Sequence, residues 1–130
     1  MHITALDHLV LTVADPQATA AWYARILGCV AETFHPADGS TRLAVTFGRQ
    51  KINLHQAGAE FRPHARQPGS GTADLCFLSD DPLSDWIAHL ADEGVTIEEG
   101  PVPRTGATGP ILSIYLRDPD GNLIEVSNPA

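Results

Sequence analysis

Two histidines and two acidic residues in this sequence could together bind a divalent metal ion. His8 and Asp74 lie early in two similar segments of the chain, and His55 and Glu125 lie late in them. Imidazole nitrogens and carboxylate oxygens are the donors that iron(II), nickel, cobalt, manganese and zinc accept at open sites, where a substrate takes the remaining positions. These residue types therefore predict a metal-dependent site for a small, oxygen-bearing molecule.

An internal repeat explains how residues so far apart can correspond. The segments 15–28 and 81–94 each begin with Asp-Pro and end with Gly, and all three features recur at one offset of 66 residues (81−15, 82−16 and 94−28). An Asp side chain caps the free amides of a helix, proline fits its first position, and glycine adopts the left-handed conformation that ends it. The pattern predicts two helices.

Each predicted helix is amphipathic and is flanked by strand-like runs. Large apolar residues recur every three to four positions in both helices, which indicates one core-facing side. One run rich in β-branched and apolar residues precedes each helix and three follow it, so the order of strand, helix and three strands occurs twice. The predicted strands cover residues 6–13, 30–35, 41–47 and 51–56 in the first half and 73–79, 95–99, 111–117 and 122–127 in the second.

Strand alternation and the repeat together select the candidate ligands. Residues two apart point to the same side of a strand, which puts His55 on the polar face of the fourth strand. Asp74 is the counterpart of His8 at the 66-residue offset, and aligning the fourth strands by their ends makes Glu125 the counterpart of His55 (125−55 gives 70). Each residue alone has a common structural role, as a core histidine or a solvated carboxylate. Their equivalent places favour a metal site.

Composition excludes several other classes of function. Sixteen acidic residues against eight basic ones give a formal charge of −8, which repels phosphate backbones and excludes nucleic acid as a partner. The start, MHITALDHLV, has no signal-peptide pattern, and no apolar run is long enough to span a membrane. We therefore expect a cytoplasmic protein without a membrane partner, in which Cys29 and Cys76 are buried packing residues.

Several stretches of the sequence resemble one known superfamily. The duplicated βαβββ order, the opening DHLVLTVAD, the run KINLHQ and the closing DPDGNLIEVS resemble the vicinal oxygen chelate superfamily of glyoxalase I, fosfomycin- and bleomycin-resistance proteins and extradiol dioxygenases. ADLCFLS and GPVPRTGATGPILSIYLRDPDGNLIEVS are most similar to its bacterial glyoxalase-like, virulence-associated members. The resemblance covers essentially the whole chain.

The resemblance implies an α+β fold of one domain, residues 1–130, in which two βαβββ modules form a cupped mixed sheet. Module 1 covers residues 4–56, module 2 covers residues 73–128, and residues 57–72 connect them. In this superfamily the metal ligands lie on the first and fourth strands of each module, which are the places of the four candidate ligands. The modules pair either within one chain or between two chains, and we expect a homodimer.

The implied activity is metal-dependent proton transfer, by a lyase or isomerase of glyoxalase type. A divalent ion (nickel, zinc, iron, manganese or cobalt) would chelate two oxygens of a small substrate and stabilise charge that develops on them. Glu125 is the first candidate for the base that removes a proton next to a carbonyl, and Asp74 is the second.

Two basic residues are candidates for substrate binding. Arg104 lies within GPVPRTGATGP at 100–110, a stretch that its glycines and prolines predict to be a mobile loop. Its guanidinium would clamp a carboxylate or phosphonate. A solvent-exposed loop arginine is the alternative. Lys51, on the same strand face as His55, is the weaker candidate.

Two other functions remain open. An iron(II) dioxygenase would use His8, His55 and Glu125 as a facial triad, although superfamily dioxygenases take their second histidine from the place of Asp74. A drug-binding resistance protein would need no metal, and the acidic balance of the chain suits a cationic ligand. Metal analysis of the purified protein distinguishes the binder from the two enzymes.

Overall fold

The duplicated order of elements is confirmed by a computed structural model that describes all residues, 1–130. The chain forms two compact units, Met1–Gly71 and Thr72–Ala130, so the predicted connector belongs almost entirely to the first. Each unit consists of one helix and one four-stranded mixed sheet. The α+β class with two βαβββ modules is therefore confirmed.

The sheets have the same topology. The first unit contains β1 (His8–Val13), α1 (Pro16–Leu27), β2 (Val30–Phe34), β3 (Arg42–Phe47) and β4 (Gln50–Gln56), and the second contains β5 (Asp74–Leu78), α2 (Leu83–Asp92), β6 (Glu99–Thr105), β7 (Pro110–Arg117) and β8 (Leu123–Pro129). The strand orders are β1-β4-β3-β2 and β5-β8-β7-β6. In each sheet the first two strands in this order pair in parallel and the remaining pairs are antiparallel.

The first helix begins and ends as the sequence predicts. One oxygen of the Asp15 carboxylate accepts hydrogen bonds from the amides of Gln17 and Ala18, each at 3.1 Å. Gly28 then adopts a φ of 71°, which a residue with a side chain tolerates poorly. Tyr23 and Ile26 are fully buried on the side of α1 that contacts β2, β3 and β4. The cap at Asp15, the end at Gly28 and the buried apolar side of α1 therefore all agree with the prediction from the sequence.

The second helix is held differently from the prediction. It begins at Leu83 after Pro82, without a side-chain cap, so the expectation that Asp81 caps it is wrong. Asn128 on β8 supplies the acceptor instead, because its Oδ1 binds the Leu83 amide at 2.9 Å. This contact attaches the start of α2 to its own sheet. Gly94 still has the expected left-handed conformation, with a φ of 71°.

The prediction for residues 95–110 is wrong in detail. The sequence predicts a strand at 95–99 and a mobile loop at 100–110, whereas residues 99–105 form β6 and pair with β7. Prolines 101 and 103 are tolerated because β6 is an edge strand, where a missing amide costs fewer ladder bonds. Gly100 is required there, since a Cβ atom would collide with the Ser113 carbonyl.

The apolar faces of the sheets form the cores. Side chains at most 5% exposed on the helix-facing side of the first sheet are Leu11, Val13, Val45, Ile52 and Leu54, and Ile114, Leu116, Ile124 and Val126 have this role in the second. Burying this surface is the main source of stability for each unit. Neither helix is long and apolar enough to cross a bilayer.

The two cysteines differ in burial. Cys29 is buried as expected, and desolvation raises the pKa of its thiol to about 11. Cys76 is exposed, so the expectation that both cysteines are buried is wrong for this residue. It lies opposite Glu125 of the neighbouring strand β8, on the face away from the buried side chains of Ile124 and Val126.

The predicted Asp-Gly turn at 118–122 joins three strands through buried polar groups. Asp118 and Asn122 are 5% and 1% exposed. The Asn122 amide nitrogen donates to the Asp118 carboxylate at 2.8 Å, and its amide oxygen accepts from the backbone of Ala73 at 2.9 Å. The other Asp118 oxygen accepts from the backbone of Asp120 and Asn122. Every bond here involves a side chain that no apolar residue can replace.

We predict that Asn122→Ala strongly destabilises the protein. The substitution leaves the Asp118 carboxylate and the Ala73 amide without these partners, at about 1–3 kcal/mol for each buried group. Urea unfolding measures the loss in the free energy of unfolding. Asp92→Ala, at an exposed helix position, is the control. Equal urea midpoints for the two variants would show that the turn network contributes nothing.

Candidate functional site

The polar face predicted for β4 exists in the first unit. Lys51, Asn53 and His55 alternate with buried apolar residues along the strand. In the parallel pair with β1, His8 lies opposite Lys51 and Thr12 lies opposite His55. His8 and His55 therefore share one face but lie four positions apart, an offset of about 13 Å along the strand direction. Asn53 lies between them.

Strand pairing corrects the correspondence between the two halves. Val10 lies opposite Asn53, and Cys76, at the 66-residue offset (76−10), lies opposite Glu125. Glu125 is therefore the counterpart of Asn53, and the prediction that it corresponds to His55 is wrong by two residues. Alignment by strand ends failed because β8 extends to Pro129, two residues beyond the predicted end.

His8 is an exposed candidate ligand in the first unit. Its side chain is 44% exposed, and Nδ1 lies 2.8 Å from a carboxylate oxygen of Asp7. If Nδ1 carries the proton of this bond, Nε2 has the free lone pair that a metal ligand needs. Asp7 thus orients the imidazole in a way that suits coordination.

His55 is buried, and its surroundings favour the neutral imidazole. It is 5% exposed, and its ring contacts Phe61 edge-on at 5.3 Å between centroids. The Arg42 guanidinium lies 4.0 Å above the centre of the same Phe61 ring. Burial lowers the pKa of His55, and the positive charge of Arg42 lowers it further. A neutral imidazole can bind a cation, whereas a protonated one cannot.

Two unpaired polar atoms show that the first unit could accommodate a ligand on this face. Asn53 Oδ1 and His55 Nδ1 are buried and have no hydrogen-bond partner. Such an atom costs about 1–3 kcal/mol when left unpaired, so its burial needs a compensating partner. An amide oxygen and an imidazole nitrogen both bind divalent cations. The donor chemistry of the first unit therefore fits a metal ion, although no group of three or more His, Cys, Asp or Glu side chains forms a complete cation site.

Sequence reasoning did not identify Asn53 as a site residue. Asparagine carries no charge and is not a frequent metal ligand, so its residue type gives no signal of such a role. The signal that could have identified it is the register of β1 with β4. That register makes Asn53 the neighbour of His8 on the diagonal, where side chains can meet.

Glu125 lies on the corresponding polar face in the second unit. Cys76 and Tyr115 flank it on the neighbouring strands β5 and β7. The Ser113 hydroxyl donates to its Oε2 at 2.6 Å, and the Ser127 hydroxyl lies 3.4 Å from the same oxygen. The carboxylate is thus held by hydroxyl groups that the sequence analysis did not single out.

Asp74 is the exposed partner of Glu125 in the second unit. It begins β5 opposite Leu123, two residues before Glu125 on β8, so the two acidic residues are diagonal neighbours on one face. Diagonal Cα atoms are about 7–8 Å apart, within reach of two carboxylates that bind one ion. The second unit therefore places the two predicted acidic ligands, Asp74 and Glu125, near each other.

The candidate substrate-binding residues already have partners within their own units. Arg104 lies on β6, where its guanidinium donates to Tyr115 Oη at 2.9 Å, to the Pro103 carbonyl at 3.0 Å and to Glu99 at 3.3 Å. The Lys51 ammonium lies 4.2 Å from the centre of the Phe34 ring. Arg104 is therefore an ordered strand residue. Its role in substrate binding, like that of Lys51, stays a prediction.

A comparison with known protein families decides the identity of this fold. The profile described as "Glyoxalase/Bleomycin resistance protein/Dioxygenase superfamily" matches residues 5–126. The chain belongs to this superfamily. Resemblance of the sequence to the vicinal oxygen chelate proteins is thereby confirmed.

Two similar proteins match along almost the whole chain. The virulence protein STM3117 of Salmonella typhimurium is 53% identical over 98% of this chain and 85% of its own length. A solved structure, an integron cassette protein from the mobile metagenome of V. cholerae, is 58% identical, covers 100% of this chain and 98% of its own, and has a TM-score of 0.93. These relatives confirm the family and the fold. They do not identify a reaction, because neither name states one.

More distant superfamily members include enzymes. An ethylmalonyl-CoA/methylmalonyl-CoA epimerase of Cereibacter sphaeroides is 31% identical over 95% of this chain and 97% of its own length. A lactoylglutathione lyase structure from Agrobacterium tumefaciens is 25% identical over 98% of this chain and 95% of its own, with a TM-score of 0.69. A 4-hydroxyphenylpyruvate dioxygenase of Caenorhabditis elegans is 27% identical over 95% of this chain and 34% of its own. The superfamily thus includes epimerases, lyases and dioxygenases.

We predict that His55 titrates below the ordinary histidine pKa of about 6.5 in the metal-free protein. Arg42→Gln should raise the pKa of His55, because it removes the positive charge that disfavours the imidazolium. NMR titration of the ring protons, with chelator present, measures both values. An unchanged His55 pKa in Arg42→Gln would contradict the electrostatic part of this account.

The same shift has a defined sign for stability. Since the pKa of His55 is lower in the folded than in the unfolded protein, the unfolded chain binds more protons between these two values. The free energy of unfolding should therefore fall as the pH decreases from about 6.5 towards the folded-state pKa of His55. His55→Gln should show a smaller fall over the same pH range.

Proposed function

We propose that the chain is a divalent-metal-dependent enzyme that catalyses proton transfer on a small substrate with two neighbouring oxygens, as a lyase or isomerase of glyoxalase type. The observation that supports this proposal is that two potential metal-ligand atoms, Asn53 Oδ1 and His55 Nδ1, are buried without a hydrogen-bond partner. They lie on the strand face that also bears His8. A cation would satisfy atoms that the folded chain leaves without partners.

Each unit carries proposed ligands of its own. In the first unit, His8 and His55 contribute imidazoles and Asn53 contributes an amide oxygen. In the second unit, Asp74 and Glu125 contribute carboxylates. When bound, a divalent ion (nickel, zinc, iron, manganese or cobalt) supplies Lewis-acid stabilisation of the negative charge that forms on substrate oxygens. The activities in the names of the epimerase and lyase relatives support this class of chemistry.

Glu125 is the proposed base that removes a proton from carbon next to a carbonyl. Both serine contacts of its carboxylate are made to Oε2, so we assign the proton-accepting role to Oε1. Asp74, exposed on the same face, is the second candidate because it can exchange its proton with solvent. A base on a strand centre is better positioned than one on a loop.

Substrate orientation is assigned to Lys51 and Arg104. The Lys51 ammonium lies over the face of the Phe34 ring. An anionic group of the substrate would bind this ammonium more strongly than the ring does. Arg104 makes exposed contacts at 2.9–3.3 Å, which a carboxylate or phosphonate could replace in part. A homodimer and a cytoplasmic location complete the proposal, and light scattering tests the first.

We predict that protein purified without chelator contains a divalent metal and catalyses exchange of a carbon-bound proton. The measurements are elemental analysis and solvent deuterium incorporation into 2-hydroxy ketones and into thioesters of 2-alkylmalonic acids, the class named for the epimerase relative. Glu125→Gln should lower the exchange rate by about 10²–10⁴-fold, the usual contribution of a general base. Glu32→Gln, on an exposed strand position, is the matched control and should keep the wild-type rate.

Individual substitutions test the ligand assignment. His8→Ala, His55→Ala, Asn53→Ala and Asp74→Ala should each lower the bound metal per chain. Wild-type metal content in all four variants would refute the assignment. Oxygen uptake with iron(II) and a catechol would instead identify a dioxygenase. Metal-free protein that binds a cationic drug equally well with chelator would identify a resistance protein.

A further inference from the structure

Two serines of the second unit have an unusual position for polar residues. Ser113 and Ser127 are both 0% exposed and lie directly opposite each other on β7 and β8. Each is two residues from the pair formed by Tyr115 and Glu125, so all four side chains lie on one face. A buried hydroxyl costs free energy unless it is hydrogen-bonded, so the partners of these serines define their role.

Counting protons gives the hydrogen bonds of this cluster one direction. The Glu125 carboxylate can only accept, so at 2.6 Å Ser113 donates its single hydroxyl proton to Oε2. Ser113 must then accept in its contact with Ser127, whose hydroxyl lies 2.7 Å away. Ser127 in turn can accept from the thiol of Cys76 at 3.4 Å. The donors therefore run from Cys76 through both serines to Glu125.

A second donor approaches Glu125 from the other side. Arg104 Nε donates to the Tyr115 oxygen at 2.9 Å, which leaves the Tyr115 proton free to be donated elsewhere. Tyr115 and Glu125 are paired across β7 and β8, and burial together with the neighbouring Glu125 carboxylate raises the pKa of Tyr115. The ordered contacts of Arg104 thereby serve to orient a neighbour of the carboxylate.

We propose that Ser113 and Ser127 are positioning residues that fix the Glu125 carboxylate by a one-way chain of donors to Oε2. The inference rests on the proposed function for its catalytic meaning, since it reserves Oε1 for the substrate proton or the cation. The terminal torsion of a glutamate is broad and two-fold, so an unrestrained carboxylate exchanges its two oxygens freely. A fixed carboxylate enters the reaction without that rearrangement.

The donor chain itself is tested in metal-free protein by NMR. We expect the Ser113 hydroxyl proton to exchange slowly enough with water to give a resolved resonance, with a nuclear Overhauser contact to the side chain of Glu125. Glu125→Ala and Ser127→Ala should both abolish the slow exchange, and Ser84→Ala, at an exposed helix position, should leave it unchanged. A Ser113 hydroxyl proton that exchanges as fast as that of Ser84 overturns the inference.

The consequence for the reaction is tested by kinetics of the metal-loaded enzyme. Ser113→Ala should lower kcat by about 10–100-fold, the usual effect of removing a partner of a functional ligand, with KM nearly unchanged. Circular dichroism and thermal unfolding check that the variant is folded. A folded variant with wild-type kcat overturns the positioning role. Should the wild type bind no metal and catalyse no exchange, the proposed function fails, and the NMR result alone decides on the donor chain.

Discussion

The parallel pairing of the first and fourth strands is the constraint on which each unit depends. It brings together segments more than forty residues apart, such as His8 and Lys51 in the first unit (51−8 gives 43). The alternation of side chains then gives each pair one face that packs against a helix and one face that does not. All candidate site residues lie on or next to the second kind of face, so a shift of register by one residue would move them into the core.

The two units treat their polar faces in different ways. In the first, Asn53 Oδ1 and His55 Nδ1 are buried atoms without a hydrogen-bond partner, which leaves part of the cost of their burial uncompensated. In the second, Ser113 and Ser127 satisfy Glu125 and each other. An unsatisfied face is suited to receiving a ligand, and a satisfied face is suited to holding a charged group in one orientation.

Family membership limits the function without selecting it. Epimerases, lyases and dioxygenases share this superfamily, and the two relatives described above with more than 50% identity have no reaction in their names. Function therefore depends on the residues of the site. In this chain the buried donors of β4 and the hydroxyl-bound carboxylate of β8 are the features that favour metal-dependent proton transfer.

The sequence by itself determined the order of the elements, because local signals define them. Capping, first-turn proline and terminating glycine identified α1, and runs of β-branched and apolar residues identified every strand except β6 to within two residues at either end. Strand β6 was missed because its prolines are read locally as loop residues, whereas only its place at the sheet edge makes them acceptable. Register, burial and hydrogen-bond partners were decided by tertiary structure alone. Asn53, Ser113 and Ser127 are identified as site residues by their neighbours on other strands. Neither secondary-structure propensity nor spacing along the chain contains the distances to those neighbours.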